Sequence, residues 1–339
     1  MNRWTLSIIL GVVLSAATLY LAFRNVPFGD LAAYIASIHL LWLFPSMAAI
    51  LAGFLCRVIR WQIILGSSQR VGYWSAHHPL MIGFMMNCIL PGRVGEVARP
   101  LILRQRDGVA FTTGLATVAA ERVFDLIMLI GLFALVMYTV EIDPDFSRSF
   151  AGYELSGQTL QKVALRTVQL SMILMLGVLF LTIETTRDLV LRLVRMLPER
   201  VANPIARGIE NVAAGFSLIR DPWRMLSCLG LSFLAWFATA VSYYTMAMGS
   251  PGISLSFFQW TAVMVIVCFF IALPSVPGFW GLWEAGGVFA MALFGVGAKE
   301  AAGFTLVNHA VQMFPVIIVG LVSAVITGVN ILQVSRSIR

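Results

Sequence analysis

The chain has 339 residues, of which 59% are hydrophobic and only 12% charged, against about 25% charged in a typical soluble domain. A mean hydropathy of +0.88 excludes an ordinary soluble globule, because so apolar a surface would be sticky in water; the bilayer is the natural solvent. The formal net charge of +7 does not indicate nucleic acid, since the positive residues lie between apolar runs as loop charges do in membrane proteins.

In chain order the long apolar runs are roughly 5–23, 41–62, 75–90, 109–140, 165–183, 225–248, 256–273, 279–294 and 303–332. The first has one positive residue before it and no clear small-residue cleavage motif, so it reads as a retained span. A spanning helix needs about 20 apolar residues. The runs 75–90 and 279–294 are shorter and adjoin Pro/Gly clusters, which predicts broken or re-entrant segments. The four cysteines, Cys56, Cys88, Cys228 and Cys268, lie within apolar runs without metal-ligand spacing and read as small buried hydrophobes. No metal and no cofactor is expected.

Loop charge gives an orientation. Arg57, Arg60 and Arg70 follow the second run, Arg104 and Arg106 follow the first broken region, and arginines are dense over 187–224, whereas 141–163 is acidic. The positive-inside rule then puts both termini, the 63–74 loop and the 184–224 stretch in the cytoplasm and the 141–163 loop outside. The expectation is an all-α polytopic membrane helix bundle of about six full spans. Two Pro/Gly-broken re-entrant hairpins, 75–103 and 256–294, complete it. A single transmembrane domain covers 1–339, its halves about 1–183 and 225–332. Between them, 186–222 carries two apolar stripes, one from Leu189 to Leu197 and one from Ile205 to Ile219. They fit amphipathic helices at the cytoplasmic interface and, equally, a packed cytoplasmic cap.

The halves echo one another. Pro91-Gly92-Arg93-Val94-Gly95-Glu96 has a counterpart in Pro277-Gly278-Phe279-Trp280-Gly281-Leu282-Trp283-Glu284. Paired Gly/Pro-interrupted segments in corresponding halves point to a transporter's central site, and the charge assignment enters the hairpins from opposite sides, as an inverted repeat requires.

Charges inside apolar runs cost roughly 2.5–3.5 kcal/mol each even on lenient insertion scales. Three groups stand out. Arg93, Glu96 and Arg99 are spaced by three and share a face if that stretch is helical. Glu121, Arg122 and Asp125 interrupt the run 109–140, with Arg122 able to pair with Asp125; Glu121 and Arg122 also fit a structural ion pair. Glu284 has no charged neighbour from Leu273 to Phe294. Arg57 and Arg60 fit equally the snorkelling end of span two and a place among the working charges. Trp280 and Trp283 read as interfacial anchors. His77 and His78 have no acidic partner in register. His309, near Asn308 and Gln312, reads as a helix–helix hydrogen bond or a proton-coupling site. Nucleotide-binding, metalloprotease and nucleophile-elbow motifs do not occur, so transport would run on a gradient or downhill.

The stretch Leu90 to Leu129 resembles the membrane domain of lysylphosphatidylglycerol synthases, which also occurs alone in flippase-like proteins. Pro91, Gly92, Gly95, Glu96 and Arg99 match its first motif. Ala116, Thr117, Glu121, Arg122 and Asp125 match its second, and Pro277, Gly278, Gly281 and Glu284 its third. The resemblance runs through nearly the whole chain. One departure is Trp283, where the family often has an arginine, so any head-group contact of that arginine has no counterpart here. The resemblance implies a bacterial inner-membrane lipid translocase rather than an enzyme, since the aminoacyl-transfer domain of the synthases is not expected in this chain. The substrate would be an anionic or zwitterionic lipid or lipid-linked precursor. A partner that synthesises the lipid is compatible; the oligomeric state is open. Arg93, Arg99 and Arg122 would meet an anionic head group. Glu96, Glu121, Asp125 and Glu284 would balance them or meet cationic parts. The alternatives are an accessory subunit or intramembrane enzyme of a lipid pathway, such as hopanoid or glycolipid modification, and a scaffold.

Overall fold

Within a bilayer every backbone amide must be satisfied by the chain itself, which leaves helices as the economical solution for runs this apolar. The computed structural model describes residues 3–24, 26–139, 147–150, 153–156, 184–203, 221–273 and 276–338, with scattered positions within 162–177 and 205–210. Most of the expected run 165–183 and most of the second amphipathic stripe lie outside the described residues.

The first half carries α1 (Arg3–Phe23), α2 (Phe28–Ser37), α3 (Leu43–Leu65), α4 (Tyr73–Ile89), α5 (Gly95–Asp107) and α6 (Phe111–Thr139). A small antiparallel hairpin follows, β1 (Ser147–Phe150) and β2 (Tyr153–Ser156), with Arg148 opposite Leu155. Then come α7 (Glu184–Val194), α8 (Pro222–Met248), α9 (Phe257–Ile271), α10 (Leu282–Leu293), α11 (Ala298–Thr327) and α12 (Ile331–Ile338).

Local chemistry sets several of these boundaries. Asp221 caps α8 by accepting from the Trp223 N–H at 2.9 Å, with Pro222 in the first turn. Ser256 and Gln259 form a reciprocal capping box at the start of α9. Gly108 ends α5 and Gly328 ends α11, both in left-handed conformation.

Among the described residues, three helical segments are long and apolar enough to cross a membrane: Leu40–Leu65, Pro222–Met248 and Ala298–Thr327. The α1–α2 pair, bent by 79°, would make a fourth. At 29 residues, α6 has the length of a span, roughly 43 Å, but carries Glu121, Arg122 and Asp125 within it. The expected short segments are short: α4 has 17 residues and α10 has 12. Each packs against its neighbour, α4 on α5 and α9 on α10.

The bundle closes around these two hairpins. Helix α3 runs along α8, and α11 along α4 and α10. A methyl group on Gly95 would collide with the Gly83 backbone, and one on Gly83 with the stem of Arg99. This bare glycine pair lets α4 and α5 close and lets Arg99 cross between them. Helix α1 lies against the second hairpin, where Ser15 Oγ accepts from the Val276 N–H at 3.4 Å.

Candidate functional site

The two hairpin tips share one backbone feature. Gly92 and Arg93 have φ of 79° and 53°; Gly278 and Phe279 have 72° and 60°. A left-handed glycine followed by a left-handed side chain recurs after each proline. For Arg93 and Phe279 that conformation costs about 1–2 kcal/mol, and such strain concentrates at working sites.

The tips also touch. Arg93 Nη2 donates to the Ile271 carbonyl, at the end of α9, at 3.0 Å. Gly278 lies so close to Cys88 that a Cβ there would sit 3.1 Å from the Cys88 carbonyl oxygen. The arginine that sequence spacing put on a helix face with Glu96 and Arg99 is therefore not helical. It occupies the turn, and α5 begins only at Gly95, whose N–H is held by Asn87 Oδ1 at 2.8 Å.

Beside the tips lies a cavity of about 370 Å³. Helices α3, α4, α5, α6, α8, α9, α10 and α11 contribute to its wall, as do the tips themselves. Charged side chains that line it are Arg57, Arg93, Glu96, Arg122 and Asp125. Apolar rings, among them Phe54, Phe84, Trp236 and Phe279, complete it.

Behind this lining sits a second, fully buried layer. Arg60 Nη1 donates to Asp125 Oδ1 at 2.8 Å and to Ser232 Oγ at 2.6 Å, and its Nη2 reaches Glu121 Oε1 at 3.5 Å. Arg99 pairs with the other Glu121 oxygen and stacks over Trp61 at 4.6 Å. The side chains of Arg60, Arg99 and Glu121 are all 2% exposed or less. Arg122, by contrast, is 37% exposed; it meets Asp125 at 3.3 Å and Glu96 at 3.9 Å. Arg57 completes the ring at 3.9 Å from Asp125.

The seven charges singled out in the sequence thus separate. Arg93, Glu96, Arg122 and Asp125 face the cavity. Arg99 and Glu121 form the buried support. The Arg122 partner of Asp125 is as expected, but Glu121 pairs with Arg99 and Arg60 rather than Arg122. Glu284 is not alone: it is buried and paired with His309 Nδ1 at 2.6 Å. Trp280 and Trp283 are not interfacial anchors, for their rings pack on His309 at centroid distances of 4.5 and 4.6 Å. Arg60 is not a snorkelling helix end either; α3 continues to Leu65 and holds the guanidinium in the core. That continuation, Trp61 to Leu65, was the available signal. Among the hairpin-breaking residues, Pro91, Gly92, Gly95, Pro277, Gly278 and Gly281 all lie at or beside the turns.

Comparison with known proteins bears on this arrangement. The model of the lysylphosphatidylglycerol synthase TM region matches residues 8–320. The chain belongs to this family. Among curated relatives, the glycosyltransferase AglD of Haloferax volcanii is 25% identical over 299 residues, covering 81% of this chain and 47% of that protein. The chain therefore spans about half the length of that relative. The UPF0104 membrane protein MJ1078 of Methanocaldococcus jannaschii is 22% identical over 248 residues, covering 73% of this chain and 96% of that one. No solved structure matches. Family membership and the spanning helices make this a multi-pass membrane protein.

Proposed function

We propose that this protein moves an anionic or zwitterionic lipid, or a lipid-linked precursor, between the leaflets of the cytoplasmic membrane, with both termini on the cytoplasmic side. The cavity carries this reading. It lies inside an apolar bundle, where the two broken hairpins meet. Around it and in its support stand five guanidinium groups, those of Arg57, Arg60, Arg93, Arg99 and Arg122, against the carboxylates of Glu96, Glu121 and Asp125. This surplus of positive charge favours a phosphate-bearing head group, which arginine binds in bidentate fashion.

Arg122 and Arg93 would make the contact, Arg57 would add charge at the wall, and Glu96 and Asp125 would hold the arginines apart and oriented. The Arg60–Glu121–Arg99 layer would keep this lining fixed. The hairpins, related as an inverted repeat, would be the moving elements. No covalent chemistry is assigned.

The test is leaflet exchange in reconstituted liposomes with fluorescent phospholipid and prenyl-phosphate analogues. Protein-dependent movement is expected, with Arg122→Ala and Arg93→Ala each reducing it at least about tenfold, the loss of roughly one charge-assisted contact. Movement unaffected by both substitutions would overturn the site. A well-folded protein that moves none of these lipids would favour a supporting role beside a lipid-modifying enzyme, a reading to which the name of the Haloferax relative lends weight.

A further inference from the structure

His309, on α11, has both ring nitrogens engaged. Nδ1 lies 2.6 Å from Glu284 Oε1. Nε2 lies 2.7 Å from the carbonyl oxygen of Gly278, in the second hairpin tip. The other glutamate oxygen accepts from the Gly281 N–H at 2.7 Å. The Trp283 ring is stacked within 2° of parallel on the imidazole.

A carbonyl oxygen can only accept, so Nε2 must carry hydrogen. In a neutral ring Nδ1 is then a bare lone pair. Set against an ionised carboxylate at this distance, it would face a second lone pair with nothing between them. One proton therefore lies between Nδ1 and Oε1, on the imidazolium or on the carboxylic acid. In either form the pair is net neutral and holds one proton more than a free carboxylate beside a neutral imidazole. Neutrality suits a buried intramembrane position.

We propose that Glu284 and His309 form a proton-binding site, and that this one proton latches the second hairpin tip. The proposal rests on the translocase reading and names the coupling ion for it. Loss of the proton, to water in the cavity that His309 lines, breaks the Nδ1–Oε1 hydrogen bond and leaves a buried carboxylate facing a lone pair. The two side chains part, and His309 no longer holds Gly278. The tip that rests on Cys88 is released. Proton occupancy at one end of the cavity is in this way tied to the hairpin that closes it.

The other titratable or charged groups around the cavity are Arg57 on α3, Cys88 on α4, Arg93 at the first tip, Glu96 on α5, Arg122 and Asp125 on α6, and Cys268 on α9. None is hydrogen-bonded or ion-paired to either member of the dyad. The described side chains of this kind on α1, α2 and α8 are Tyr20, Asp30, Tyr34, Arg224, Cys228, Tyr243 and Tyr244, with Arg24 just after α1, and none of these bonds to it either.

Glutamine offers a discriminating substitution. In Glu284→Gln the amide N–H can donate to Nδ1 while its oxygen accepts from Gly281, so the latch stays shut without the titrating proton. The experiment measures the modification rate of Phe279→Cys, at the tip, by a small methanethiosulfonate reagent. It uses the full-length protein in liposomes, its four native cysteines replaced by alanine. Rates are taken from about pH 5 to about pH 9, a range centred near neutral pH. They are divided by those of the same protein carrying Glu284→Gln, which removes the pH dependence of the thiol itself.

The ratio is expected to rise with pH, by up to about tenfold per pH unit below the midpoint of opening, and to level off above it, as release of one proton requires. His309→Ala should be fast at every pH, with no such rise. A flat ratio in the parent protein, or Glu284→Gln modified as fast as His309→Ala, would overturn the proposal. Lipid movement is scored separately in the same liposomes. Movement with a flat ratio leaves the translocase standing without the latch. A rising ratio without movement of any lipid leaves the latch standing and removes the translocase.

Discussion

Glu121 sits between two arginines, and its removal would be felt by both. Arg60 and Arg99 are buried, and each uses a different oxygen of this carboxylate. Taking one partner from a buried ion pair costs about 3–5 kcal/mol, since the remaining charge keeps its desolvation penalty. Glu121→Ala is therefore expected to lower the thermal midpoint of the detergent-solubilised protein steeply. Arg122→Ala should cost less: its side chain is 37% exposed, and solvent weakens a partly exposed pair relative to a buried one. Thermal unfolding of both variants, beside the leaflet assay, separates support from contact. Equal destabilisation by the two would contradict the layered arrangement. Sequence spacing found both residues but could not rank them, because burial depends on partners supplied by other helices. Glu121 meets Arg60 from α3 and Arg99 from α5, and the i,i+1 neighbour Arg122 points elsewhere.

At the level of the hairpins, the equivalence of the tips is conformational as well as sequential, yet their surroundings differ. A side chain at Gly92 has open space around it, whereas one at Gly278 meets the Cys88 carbonyl and the Met313 sulfur, each at 3.1 Å. Both positions have positive φ, so Gly92→Ala should cost about 1–2 kcal/mol from the backbone alone. Gly278→Ala should cost about 1–3 kcal/mol more, from crowding. Equilibrium unfolding of both in one detergent tests the difference. The hairpins were legible in the sequence because proline and glycine mark breaks by their own geometry. Two features were not. The Pro-Gly-x-x-Gly spacing could not disclose that Arg93 and Phe279 share a left-handed conformation. Nor could Trp280 and Trp283, which resemble interfacial anchors in any apolar run, reveal that they flank a histidine 26 or more residues further along.

Across the whole molecule, the contact between tips ties one half of the bundle to the other. If lipid passage requires them to part, bridging native Cys88 to Phe279→Cys with a reducible bis-methanethiosulfonate linker should stop leaflet exchange, with Cys56, Cys228 and Cys268 replaced by alanine. Cleaving the linker should restore it. Exchange that continues through the bridged protein would mean the tips are static walls. The bundle's helical nature and its broken segments could be read from hydropathy; the closure of one half upon the other could not. It rests on pairs such as Arg93 with Ile271, separated by 178 positions, and nothing in either local sequence names the other.

The cavity's size has a consequence for selectivity. Its volume of about 370 Å³ lies near the small end of the roughly 300–1,000 Å³ range of ligand pockets, suited to a head group rather than to a whole two-chain lipid. The tails must stay in the surrounding hydrocarbon throughout. Lipids that share a phosphodiester but differ in chain length should therefore compete on equal terms, while enlarging the polar end should slow passage sharply. The protein would then sort its cargo by the bulk of the head and remain blind to the length of the tail.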